Sequence, residues 1–129
     1  MEQSAPAPLE QRGPIFLRER QGSAIVLAPH ASLGDLNEEQ IQSETSQLVQ
    51  LINHSGPILF VIDLQTGDYF GSAFLGAIVR LWKRVAQRGG RLALCHVSEN
   101  IMQILRVTKL HTTWPIYGSR EEALKAIGA

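Results

Sequence analysis

The sequence lacks most of the features that mark secreted or membrane-spanning proteins. One of its 129 residues is a cysteine, so no disulfide can form within the chain. No apolar run approaches the ~18–20 residues needed to cross a bilayer, and the N-terminus has no basic segment followed by an apolar stretch. These absences predict a cytoplasmic protein with no membrane partner.

Net charge is also absent, since 12 Lys and Arg balance 12 Asp and Glu. Without an overall positive field the chain would not concentrate a polyanion, so we expect no nucleic-acid partner. One local basic stretch contains Arg80, Lys83, Arg84, Arg88 and Arg91. Such charges are typical of the solvated face of a helix, and anion binding is the alternative.

What is present indicates one globular domain. Hydrophobic residues make up 44% of the chain and charged residues 19%, which is a composition that builds a core without disulfides. Residues 1–13 show no periodicity and are predicted to be a flexible N-terminal lead-in. Residues 14–129 are predicted to form a single domain.

Strand and helix patterns alternate along this domain. Apolar runs at 14–17 and 24–29 flank a turn-like segment at 19–22, which predicts an antiparallel hairpin at a sheet edge. Buried strands are predicted at 58–62 and 92–95, and a short edge strand at 114–117. Helices are predicted from Asn37 to about Asn53, from about Phe74 to Gly89, from Ser98, and after a capping box of Ser119 and Glu122. Their helical spacing predicts an inward stripe of Ile41, Thr45, Leu48 and Ile52 in the first helix and of Phe74, Ile78, Leu81 and Val85 in the second. The alternation predicts an α/β fold with a largely parallel sheet.

Catalytic chemistry finds no support in the sequence. The four histidines are far apart and form no metal-binding pair at helical spacing, and Cys95 lies within an apolar strand. Ser72 lacks the Gly-x-Ser-x-Gly elbow, and no glycine-rich phosphate loop follows a strand. Asp63 lacks the acidic pair that a phosphoacceptor aspartate needs for its metal. We therefore predict no enzymatic activity, no metal and no cofactor.

The segment from Asp63 to Gly76 is a polar, glycine-bearing loop that leads into a helix. Loops at the carboxyl ends of strands are where α/β proteins commonly place recognition residues. Ser72 at the helix start has two interpretations. It is either a helix cap, or a group that is bound or modified at the positive end of the helix.

From about Ala24 to Ile127 the chain resembles the STAS family, which includes the bacterial anti-sigma factor antagonists. Asp63-Leu64 is followed by Gly71-Ser72-Ala73-Phe74-Leu75-Gly76 at the spacing of the family's Asp-Ser-Ser-Gly-Leu-Gly motif, and Gly89-Gly90 resembles its strand entry. The resemblance implies a mixed, largely parallel sheet with helices packed mainly on one side. It also implies docking onto a serine-kinase anti-sigma factor, which phosphorylation of a serine at the helix start switches off.

The chain departs from the family motif at the phosphorylation site. The usual phosphoserine position falls on Ala73, the preceding serine on Ser72, and the acidic residue before it on Gly71. The family's Gly-Glu-Leu-Asp loop becomes Gly34-Asp35-Leu36-Asn37. We therefore expect control by phosphorylation to be lost, or moved to Ser72.

Phe70 is either an apolar anchor of the predicted contact surface or a buried residue. The predicted contact surface combines these two segments. Its members are Asp35, Asn37, Phe70, Gly71, Ser72, Ala73 and Gly76. An alternative keeps the fold but makes the protein a sensor of a nucleotide or small molecule, with weak nucleotide binding, or a scaffold subunit.

Overall fold

The computed structural model describes residues 16–21, 23–29, 38–54, 57–65 and 72–128, with Glu38 and Ser72 described by their backbone alone. These residues contain a five-stranded sheet of order β1-β2-β3-β4-β5. The strands are β1 Phe16–Gln21, β2 Ala24–Pro29, β3 Leu59–Asp63, β4 Arg91–Cys95 and β5 Ile116–Tyr117. Only the β1–β2 pair of this sheet is antiparallel, which confirms the predicted α/β fold with a mixed, largely parallel sheet.

Four helices cover the sheet, and three of them lie on one side. They are α1 Glu38–Asn53, α2 Ser72–Gln87, α3 Glu99–Val107 and α4 Arg120–Ile127. Alternate strand residues such as Phe60 and Ile62 share a core with α1, α2 and α3, whereas Val61 and Cys95 share a second core with α4. Because side chains of a strand alternate between the two faces of a sheet, this division places α4 alone on the opposite side.

The two long helices form because apolar residues recur at helical spacing. Ile41, Thr45, Leu48 and Ile52 of α1 are buried, as predicted. The predicted stripe of α2, which consists of Phe74, Ile78, Leu81 and Val85, is buried as well. After α2 the chain turns through Gly89, whose φ of +80° favours glycine, and enters the sheet again at Arg91.

Both shorter helices begin at serine caps. The Ser98 hydroxyl accepts a hydrogen bond from the Ile101 amide at 3.2 Å, and the Ser119 hydroxyl accepts one from the Glu122 amide at 3.1 Å. The second contact confirms the predicted cap of the last helix. Within that helix Ala123 and Ile127 are buried, but Leu124 is only half-buried.

Two predicted boundaries were wrong. Glu19, Arg20 and Gln21 belong to β1 and pair with β2, so these three residues of the predicted turn are strand. Polar residues are tolerated there because β1 is an edge strand. Trp114 is buried but precedes β5, which has two residues. The predicted lead-in at 1–13 lies outside the described residues and stays a prediction.

None of the helices in the described ranges is both long enough and apolar enough to cross a membrane.

Candidate functional site

The start of α2 presents two small residues on its exposed face. Ala73 and Gly76 are exposed, while the residues that directly follow them, Phe74 and Ala77, are buried in the core. A Cβ atom added at Gly76 would meet nothing within 4 Å. The fold itself therefore does not need a glycine at this position, although glycine destabilises a helix interior by about 1 kcal/mol relative to alanine.

Three residues of the predicted contact surface belong to this helix. Ser72 is the first residue of α2, and Ala73 and Gly76 follow on the exposed face. The other predicted residues, Asp35, Asn37, Phe70 and Gly71, lie outside the described residues. β2 and β3 are parallel neighbours, so the segments that follow them leave the sheet at the same edge.

Asp63 ends β3 and is the centre of a polar network on the α4 side of the sheet. Its side chain is 2% exposed, so its charge needs partners inside the protein. Oδ1 accepts a hydrogen bond from the Gln65 amide at 3.0 Å and lies 2.9 Å from Nδ1 of His96. Oδ2 accepts a hydrogen bond from Nε of Arg120 at 3.1 Å and ion-pairs with its Nη2 at 3.0 Å. One carboxylate thus connects the first residues after β3 with the start of α4.

Arg120 extends this network to the edge strand. Its Nη1 donates a hydrogen bond to Oε1 of Glu19 in β1 at 3.1 Å. Partial burial alone would lower the pKa of Arg120, but its hydrogen bonds and ion pairs with Asp63 and Glu19 raise the pKa above its ordinary value. The guanidinium therefore stays charged and joins β1, β3 and α4.

Cys95 and His96 lie beside Asp63 at the end of β4. Ligand atoms of the three residues lie within 4.8 Å of one another, which is close enough to consider a metal ion. The Arg120 guanidinium already neutralises the carboxylate, and a cation would have to bind next to it. Burial, with the nearby Asp63 charge, raises the pKa of the Cys95 thiol to about 12, so the thiol is protonated at neutral pH. The arrangement is suited to an ion-pair network and not to nucleophilic chemistry.

Sequence reasoning missed this network. Arg120 and Asp63 are 57 positions apart in the chain, and His96 is 33 from Asp63, so no spacing rule connects them. The sequence indicates no partner for His96, yet it has a φ of +54° and contacts a buried carboxylate. The available signal was the aspartate itself, because a charge at the end of a buried strand requires a partner.

Two open depressions that are lined by described residues lie away from the exposed face of α2. One has a volume of about 280 Å³ and is lined by β1 residues, and the other, of about 260 Å³, lies near Trp82, Arg91 and Tyr117. Small-molecule sites usually measure ~300–1,000 Å³ and are concave with convergent polar groups. Neither depression favours the sensor alternative.

Comparisons of this chain with known proteins agree on one family. The STAS domain family profile matches residues 16–123. An anti-sigma F factor antagonist of Paenibacillus polymyxa is 26% identical over 91 residues, which cover 70% of this chain and 78% of that protein. A candidate anti-sigma factor antagonist of Bordetella bronchiseptica, BtrV, is 29% identical over 90 residues, covering 70% of this chain and 74% of that protein.

A solved structure extends the similarity to three dimensions. The anti-sigma-factor antagonist (STAS) domain protein from Planctomyces limnophilus superposes with a TM-score of 0.77 at 30% sequence identity. The alignment covers 88% of this chain and 98% of that one. The similarity therefore extends over most of this chain and nearly all of that one.

Proposed function

The chain belongs to the STAS domain family, and from that membership we propose that it docks onto an anti-sigma factor protein of the serine-kinase type. Its relatives include anti-sigma factor antagonists, which are regulatory proteins without enzymatic activity. The contact surface would be the start of α2 together with the segment that precedes α1. Asp35, Asn37, Phe70 and Gly71 belong to it by sequence, and Ser72, Ala73 and Gly76 by sequence and position.

The proposal rests on one observation, the exposure of Gly76 within α2. Gly76 lies within a helix, and a Cβ at this position would meet no atom of the described chain within 4 Å. A helix would be more stable with alanine there, so its own packing does not explain the residue. A partner that approaches the helix backbone closely would explain it, since only small residues allow such an approach.

Two matched substitutions on α2 test where the partner binds. Ala73 and Ala86 are both exposed on this helix, and at 100° per residue they lie about 140° apart around it. We expect Ala73→Leu to weaken binding to the serine-kinase anti-sigma factor of the source organism at least ~10-fold, because extra methyl groups would overpack a close contact. Ala86→Leu should leave the affinity within about twofold.

Isothermal titration calorimetry with the purified anti-sigma factor measures both affinities. Equal losses for the two variants would place the contact elsewhere. If none of the organism's serine-kinase anti-sigma factors binds the unmodified chain, the proposed function is wrong.

Phosphorylation control is the second part of the proposal. The usual acceptor position carries Ala73, which is exposed but has no hydroxyl, so we propose that control is lost or has moved to Ser72. A phosphate would add roughly −1.5 to −2 charges to the contact surface and oppose docking. Incubation with the kinase and ATP, followed by mass spectrometry, distinguishes the two cases.

Label on Ser72 would indicate a moved acceptor, and an unlabelled chain would indicate constitutive binding. The variant Ala73→Ser is the positive control, because it restores a hydroxyl at the usual position and should accept phosphate. Label on the unmodified chain at any other residue would contradict this part of the proposal.

A further inference from the structure

The exposed face of α2 changes its chemistry along the helix. Ala73 and Gly76 occupy its first two turns, and Arg80, Lys83 and Arg84 follow, all exposed. At 100° per residue these five fall within about 100° of the helix circumference, and they span about 16 Å of its length. We call this set the α2 stripe, with a small end at Ala73 and a basic end at Arg84.

The basic end is not neutralised within the described part of the chain. No carboxylate there forms an ion pair with Arg80, Lys83 or Arg84, and the Arg84 guanidinium donates only to the neutral side chain of Gln87, at 3.1 Å. α2 itself contains no acidic residue. Three positive charges therefore face solvent within about 6 Å of helix length.

Two arginines on other helices of the described chain are paired, unlike the three cations of the basic end. Arg106 of α3 pairs with Glu99 at 3.1 Å, and Arg120 of α4 pairs with two carboxylates. A cation near a helix C-terminus is favoured by the helix dipole, but this effect fades beyond the last turn and does not account for Arg80. The basic end is a local concentration of charge on a protein whose formal net charge is zero.

The small area of this basic patch indicates which class of molecule it binds. Arg91 belongs to the basic stretch in sequence, but it pairs in register with Leu59 on the α4 face of the sheet, away from the stripe. Within the described residues, Arg80, Lys83 and Arg84 thus form a small patch on one helix face. Nucleic acids and anionic bilayers bind through many charges spread over a wide surface, whereas a few carboxylates on a protein match three cations.

We propose that the basic end of the α2 stripe binds a cluster of carboxylates on the partner protein, while the small end receives the partner's close contact. This inference rests on the proposed function for the position of the small end. Complementary charges at the rim of a contact act mainly on the rate of association and its salt dependence. The stripe would then attract the partner and set its orientation along α2.

Matched neutralisations test the proposal. One variant combines Arg80→Gln, Lys83→Gln and Arg84→Gln, and the control combines Arg20→Gln, Arg91→Gln and Lys125→Gln, three exposed cations outside the stripe. Both variants lose three charges. We expect the stripe variant to associate with the serine-kinase anti-sigma factor at least ~10-fold more slowly at low salt, with a weaker dependence on salt, and the control to change less than about threefold. Equal changes would overturn the proposal.

A second measurement does not need the anti-sigma factor. Amide NMR spectra of the ¹⁵N-labelled chain are titrated with a ten-residue polyglutamate peptide, a 20-base-pair DNA duplex and phosphatidylserine vesicles. We expect the peptide to shift the amides of residues 80–87, and the shifts to disappear in the stripe variant. Absence of these shifts, or stronger effects of DNA or vesicles at the same residues, would overturn the proposal. Peptide binding without anti-sigma factor binding would reject the proposed function and retain the carboxylate site.

Discussion

Arginine is used in opposite ways at two places in this protein. Arg120 is partly buried and forms ion pairs with both Asp63 and Glu19, so its charge is neutralised within the fold. Arg80 and Arg84 are exposed on α2 and have no carboxylate partner in the described ranges. A buried charge must be paired, whereas an exposed one is stable in water and remains available to another molecule.

Two glycines, Gly90 and Gly76, also differ in whether contacts within the chain explain them. A Cβ at Gly90 would clash with the backbone oxygen of Ile58, so the internal packing of the chain requires this glycine. A Cβ at Gly76 would meet nothing. The closed region is the β3–β4 pair, with Gly90 at one end and Asp63 at the other. It is explained by contacts within the chain, and the open face of α2 is not. This difference supports assigning the first region to stability and the second to recognition.

The largest expected effect is that of Gly90→Ala. The new methyl group would clash with the Ile58 backbone, to which Arg91 also hydrogen-bonds, and neither β3 nor β4 can move without disturbing the sheet. We expect a loss of at least about 3 kcal/mol in the free energy of unfolding. Urea denaturation measures it. A loss below about 1 kcal/mol would remove the contrast between the two glycines.

A smaller loss is expected for Asp63→Asn. The substitution leaves Arg120 without its buried partner, and we expect about 2–3 kcal/mol of destabilisation. Glu99→Gln is the matched control, because the Glu99–Arg106 pair is exposed and should contribute less than about 1 kcal/mol. Equal losses in denaturant titrations would show that burial does not distinguish the two pairs.

Cys95 gives a further test of the closed region through its pH dependence. The thiol pKa rises from 9.0 to about 12 on folding, so the folded state prefers the protonated form. The resulting stability is complete below pH 9 and decreases as the pH rises towards 12. We expect Cys95→Ala to reduce the alkaline loss of stability in this window, measured by thermal unfolding against pH. An unchanged pH dependence would mean that the thiol does not contribute.

Local patterns predicted the parts of the fold that depend on local order. The stripes of α1 and α2 follow the helical period, so Leu48 and Leu81 were correctly predicted to be buried. Glu19 was assigned to a turn because an edge strand and a polar turn have similar composition. The contact between Asp63 and Arg120 depends on the tertiary arrangement of β3 and α4, which no local pattern encodes. The motif around Ser72 predicted the candidate site through family resemblance, but the exposure of Gly76 required the structure.

The central claim is that the open face of α2 is kept for a partner at the expense of stability, and Gly76→Ala tests it most directly. One variant is measured twice, by urea denaturation and by calorimetric titration with the anti-sigma factor. We predict that the free energy of unfolding rises by about 0.5–1 kcal/mol and that the affinity falls at least ~10-fold. A variant that is more stable and binds equally well would contradict the claim.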